Sequence, residues 1–155
     1  MSEDIPPGWE KVWQILDSAF DIVAPSHKSL EQHVHNHDYL AEMRFHIWDM
    51  SDDEYQFTLP WILKDLVTYH TPDPVDNAGG DEVLWSIQPW GDDPSIQSRT
   101  LERLELFDRR QVVAILAWLE MARRLPGFSL SEDEINSAYT FWKTKLALRP
   151  LDDIE

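Results

Sequence analysis

Three of the six histidines stand within five residues, in His33-Val34-His35-Asn36-His37-Asp38, beside a carboxylate. Imidazole nitrogens and a carboxylate are ligands for first-row metals, and such a site can activate water for hydrolysis. On a helix His33 and His37 share one face at i and i+4, whereas on a strand His33, His35 and His37 share one. The chemistry to look for is therefore a metal held by His33, His37 and Asp38. The competing expectation is a set of loop histidines and no resident cofactor.

Two enzyme patterns lie near this cluster. Metallo-β-lactamases carry His-x-His-x-Asp-His after a strand, but here the last two residues are transposed to His37-Asp38. That fold also needs two sheets, which this helix-rich sequence lacks. HD-type phosphohydrolases are helical and place a His-Asp pair and a distant Asp around a metal, roles that His37-Asp38 and Asp65 resemble. The upstream histidine of that pattern should lie on its own helix, and His27 and His33 stand too close to do so.

Other chemistries are bounded by what the sequence lacks. There is no cysteine, which closes thiolate zinc, iron–sulfur and disulfide chemistry and fits a reducing, cytoplasmic setting. Asp73, Asp76, Asn77, Asp81 and Glu82 form an acidic loop, yet Val75, Ala78 and Leu84 occupy positions three, six and twelve, where a calcium hand needs oxygen, glycine and glutamate. Neither a Gly-x-Ser-x-Gly elbow nor a glycine-rich phosphate loop is present. The acidic, proline-containing start does not read as an export signal, and no apolar run approaches a membrane span.

Charge is the most pronounced property. The net charge is −16, and residues 1–98 hold 19 Asp and Glu against 4 Lys and Arg, which is −15 of that total. Such a field repels nucleic acid and anionic lipid and attracts basic proteins. The expectation is a non-enzymatic protein-binding domain that docks a basic partner, as immunity proteins and other neutralising antagonists do. A metal-dependent hydrolase and a DNA-mimicking inhibitor are the alternatives. Asp49, Asp52, Asp53, Glu54, Asp73, Asp76, Asp92 and Asp93 are the candidate surface, with Tyr55, Trp85 and Trp90 as partly exposed aromatic anchors.

The elements that must position these residues read mainly as helix. Trp9, Trp13, Leu16, Phe20 and Val23 form a one-sided stripe, predicting a helix from Gly8 to Ala24. Ser26 to Asn36 reads as a loop, and a short helix follows behind Asp38, although Met43 to Asp49 also alternates like a strand. Ser51 with Glu54 forms a capping box for a turn starting at Asp52, and Pro60 suits the first turn of a new helix reaching His70. A loop at 71–80, a short helix from Asp81 to Gln88 and a second loop from Gly91 to Ser98 follow. Asp108 with Gln111 caps the strongest helix, whose stripe is Val112, Ile115, Leu119, Ala122 and Leu125. Ser131 with Glu134 caps the last, which runs through Ile135, Ala138, Tyr139, Trp142 and Leu146. The reading is one mainly α, irregular multi-helix domain over residues 1–155, with five or six helices, a possible short β segment near 43–49, and frayed ends at 1–6 and 150–155.

The runs Phe57-Thr58-Leu59-Pro60-Trp61-Ile62-Leu63-Lys64-Asp65-Leu66, Glu82-Val83-Leu84-Trp85-Ser86-Ile87 and Leu106-Phe107-Asp108-Arg109-Arg110-Gln111-Val112-Val113-Ala114-Ile115 resemble a small bacterial family, domain of unknown function family 6714. The resemblance spans roughly Trp13 to Leu125 and includes Trp48. It implies a stand-alone bacterial helical domain and carries no catalytic residue across.

Overall fold

A computed structural model describes residues 8–20, 28–69, 80–88, 93–124 and 132–148. Among these residues the chain forms α1 (Trp9–Phe20), α2 (Lys28–His33), α3 (His37–Met43), a 3-10 turn (Ile47–Asp49), α4 (Asp52–Thr68), α5 (Gly80–Ser86), α6 (Pro94–Leu104), α7 (Arg109–Ala122) and α8 (Glu132–Leu148), and no strand. The mainly helical class is as expected, but eight α-helices replace the expected five or six.

Local chemistry explains most boundaries. Gly8, with φ +92°, turns the chain into α1, and its carbonyl accepts from Lys11 and Val12. Ser51 Oγ accepts from the Glu54 amide to start α4. Asp93 Oδ1 accepts from Ser95 N at 2.8 Å, with Pro94 in the first turn of α6, where its missing N–H removes nothing. Asp108 and Gln111 form the reciprocal box that opens α7. The Ser131 cap and Val23 lie outside the described residues.

Two helices form the centre. Helix α4 buries eleven residues around its circumference, and α7 buries nine. Helix α1 packs on both, α8 covers the other side of α7, and α3 lies on α4. Tryptophan N–H groups tie the layers together. Trp118 Nε1 of α7 donates to the Leu63 carbonyl of α4 at 2.7 Å, and Trp142 Nε1 of α8 donates to Ile87 O at 2.6 Å. Arg109 and Arg110 open α7 and grip the ends of its two neighbours. Arg109 Nη1 donates to Leu146 O near the end of α8, and Arg110 Nη2 donates to Ser18 O in the last turn of α1. Those carbonyls lack an intrahelical partner, and a cation there also suits the helix dipole.

Several expectations are corrected. Pro60 does not begin a new helix: α4 runs unbroken through it. A proline inside a helix costs about 3 kcal/mol in isolation, and here the burial of Leu59, Pro60, Ile62 and Leu63 outweighs that cost. The expected loop at 26–36 contains α2, whose six residues are too few to display a period. The expected loop from Gly91 to Ser98 gives way at Pro94 to α6. Its inward residues are Thr100, Arg103 and Leu104, while Ile96 and Leu101 face outward, so the apolar stripe that would announce a helix is absent. The β alternative at 43–49 is also overturned. Leu40, Arg44 and Ile47 are the buried positions, which is helical spacing, and the residues form the end of α3, a turn and the 3-10 turn.

Candidate functional site

The largest concentration of buried charge lies on α4. Asp65, almost fully buried, accepts from Arg44 Nη2 at 2.9 Å and from His37 Nδ1 at 2.9 and 3.0 Å. A carboxylate facing a guanidinium accepts hydrogen bonds, so His37 donates to it from Nδ1. The neighbouring Lys64, also buried, reaches out to half-exposed Asp17 at 2.5 Å. Its ammonium sits over the rings of Trp61, at 3.8 Å, and Trp13, at 5.1 Å. Trp13, His37, Trp61, Lys64 and Asp65 line a cavity of about 170 Å³ together with His35 and Tyr69.

The histidine cluster does not converge on a common point. His33 stacks on Tyr39 at 5.0 Å, His35 meets Trp61 edge-on at 4.8 Å, and His37 stacks on Tyr69 at 3.8 Å. Asp38 is exposed at the start of α3, where its backbone N–H donates to Asn36 Oδ1, so Asn36 is the cap. Among the described residues no three His, Cys, Asp or Glu side chains gather as a metal would require. Asp65, the distant ligand of the phosphohydrolase pattern, does meet His37, but through a hydrogen bond on the face it shares with Arg44.

A second site is an open cleft of about 430 Å³ between the 3-10 turn, the end of α5 and α6, walled by Trp48, Ser86, Ile96, Arg99, Thr100 and Arg103. Arg103 organises it. Buried in the wall, this residue donates to Ile47 O at 3.1 Å, Met50 O at 2.5 Å and Asp52 Oδ1 at 3.2 Å, and lies 4.6 Å from the Tyr55 ring centre. One guanidinium thus satisfies the carbonyls of a turn that has no ladder of its own. Trp48 Nε1 donates to Glu82 at 2.8 Å, which joins α5 to the same turn.

The candidate surface residues fall around this cleft in part. Asp49, Asp52, Asp53 and Asp93 are exposed and Glu54 is half-buried. Asp49 follows the wall residue Trp48, Asp52 holds the wall residue Arg103, and Asp93 caps the helix that supplies Ile96. Asp73, Asp76, Trp90 and Asp92 lie outside the described residues. Trp85 is half-buried and packs against the core. Tyr55 is a correction, because its ring is fully buried beneath Arg103 and its hydroxyl meets Ser86 O and Oγ, both at 3.3 Å. Burial pushes the Tyr55 hydroxyl well above the usual phenol range, with Ser86 and Arg103 pulling weakly the other way. The period of α4 explains this: Tyr55 shares an inward face with Leu59, Ile62 and Leu66. Ile96 and Arg103 were not singled out by sequence, and Trp48 entered only through the family resemblance; Arg99 and Arg103, four apart on α6, read as an ordinary solvated basic pair.

No family model, curated protein or solved structure matches the chain.

Proposed function

We propose that this chain is a non-enzymatic protein-binding domain that docks a basic partner at the cleft beside the start of α4, in the manner of an immunity-type or neutralising antagonist. The observation that carries this reading is the setting of Asp49, Asp52, Asp53 and Asp93. Asp49, Asp52 and Asp93 are each one residue contact or one short step along the chain from a wall of an open, largely apolar cleft, and exposed Asp53 follows Asp52. Carboxylates around an apolar slot suit a partner segment that sets lysines or arginines on the rim and one apolar side chain between Trp48 and Ile96. Ile96 is 45% exposed, which an isoleucine on a polar helix face does not need for folding. Arg99, also on the cleft wall, would pair with a partner acid or turn aside.

The rim would act mainly on association and the slot on dissociation. Capture from the native host, followed by kinetics at low and moderate salt, is the test. A basic protein whose on-rate falls with salt and with Asp49→Asn, Asp53→Asn and Asp93→Asn, and whose off-rate rises with Ile96→Asp, is the expected result. Recovery of no basic partner, or an on-rate indifferent to salt and to those substitutions, would end the proposal.

A further inference from the structure

Helices α1 and α7 enclose a groove of opposite character. It is an open trough of about 430 Å³ between α1 and the first turns of α7, floored by Ile15, Ala19 and Val113 and edged by Lys11, Arg109 and Arg110. Three cations around one apolar floor are unexpected in a chain of net charge −16. Elsewhere the basic side chains largely face carboxylates: Arg44 meets Asp65, Lys64 meets Asp17, Arg103 meets Asp52, Arg123 meets Glu120 and Lys145 meets Glu105. Among the described residues no carboxylate pairs with Lys11 or Arg110. Arg110 instead donates one N–H to the neutral Ser18 carbonyl at 2.7 Å. That bond fixes the guanidinium without neutralising it and leaves most of its five donors to other acceptors. A cation held in place before a ligand arrives loses little freedom on binding.

We infer that this groove is a binding site for a small amphiphilic carboxylate, with the carboxylate on Arg110 and Lys11 and an alkyl tail along Ile15, Ala19 and Val113. The volume lies within the range of small-molecule sites, and the lining has their usual makeup, an apolar floor with a few placed polar groups. Val113 is 40% exposed although it belongs to the central helix, so the ligand tail would cover a side chain that the fold leaves in water. The bulk negative field of the protein opposes any anion at long range, but it is screened within about 8–10 Å at physiological salt. Contact with two local cations then decides the balance.

Calorimetric titration of the full chain with decanoate tests this, with decanol as the same tail without charge and acetate as the charge without tail. Saturable 1:1 binding of decanoate is expected, with decanol and acetate each at least about tenfold weaker, since a charge-assisted hydrogen bond is worth roughly a factor of ten or more. Lys11→Gln should weaken decanoate by about tenfold, and because Lys11 is exposed and its side chain holds no other group among the described residues, an unchanged melting temperature should accompany that loss. Arg110→Gln should do the same, and Val113→Asp should abolish binding while the helical spectrum stays unchanged. Absence of saturable binding at millimolar decanoate would overturn the inference, as would equal affinity for decanol or indifference to Lys11→Gln and Arg110→Gln.

Discussion

Arg44 Nη2 stands 2.9 Å from Asp65 Oδ2, with both side chains at or below 4% exposure, and this pair fastens the end of α3 to the last turn of α4. Removing one member of such a pair strands the other charge out of water, whereas replacing both by apolar groups removes two desolvation penalties at once. Asp65→Asn should therefore lower stability by about 3–5 kcal/mol in urea unfolding at neutral pH. The double variant Arg44→Met/Asp65→Leu should recover most of that loss. A double variant as unstable as the single would show that His37, the remaining partner of Asp65, carries more of the junction than Arg44 does.

Tyr55 gives the fold an alkaline limit. Its hydroxyl is held above the phenol range by burial, so between the unfolded value near 10 and the higher folded value the unfolded chain releases a proton that the folded chain keeps. The stabilisation is thus complete below about pH 10 and declines as pH rises beyond it. Tyr55→Phe should flatten that alkaline decline while costing about 1 kcal/mol at pH 7 through loss of the Ser86 bonds. Urea unfolding of both proteins from pH 7 to 11 measures the two effects. A decline of equal slope in the variant would assign the alkaline limit to other groups.

How much of this was readable in the sequence depends on what set each feature. Caps are local, and Ser51 and Asp108 announced themselves through a partner three residues on. The stripe of α1 was equally plain, because one apolar face meets one neighbour. Helix α4 obscured its own continuity: it is buried on all sides, so no single stripe exists, and Pro60 read as a start where packing made it an interior residue. Helix α6 turns a threonine and an arginine inward, which inverts the usual pattern. The cleft was illegible for a related reason. It depends on Arg103 reaching 56 residues back to Ile47 O, a contact no spacing rule encodes.

Thr58 offers a gain in stability. It is fully buried in α4, and among the described residues its hydroxyl has no hydrogen-bond partner. An unsatisfied buried hydroxyl costs about 1–3 kcal/mol, and valine has nearly the same shape without it. Thr58→Val should raise the unfolding free energy by about 1 kcal/mol, a Tm increase of roughly 2–4 °C for a chain of this size. A lower Tm would mean that the hydroxyl is satisfied in solution, for instance by water.

The Arg103 node separates folding from binding at the proposed rim. Asp52 is 48% exposed, so its bond to Arg103 is partly screened and Asp52→Asn should cost about 1 kcal/mol or less. Arg103→Met removes much more, because the carbonyls of Ile47 and Met50 lose their donor inside the wall of the cleft. A loss of roughly 3 kcal/mol is expected, the sum of two stranded acceptors at 1–3 kcal/mol each, less what the apolar replacement returns by packing on Tyr55. Asp53 is exposed, with no side-chain bond among the described residues, so Asp53→Asn should leave stability within about 0.5 kcal/mol. Asp93→Asn should be similarly silent, since asparagine caps a helix as well as aspartate does. Asp53 and Asp93 are thus the substitutions that change the charge of the rim without loosening the cleft. Denaturant curves for all four variants, run before any partner experiment, should rank Arg103→Met far below the other three. If Asp53→Asn or Asp93→Asn proves as destabilising as Arg103→Met, these carboxylates hold the fold, and a slower association in those variants could no longer be credited to their charge.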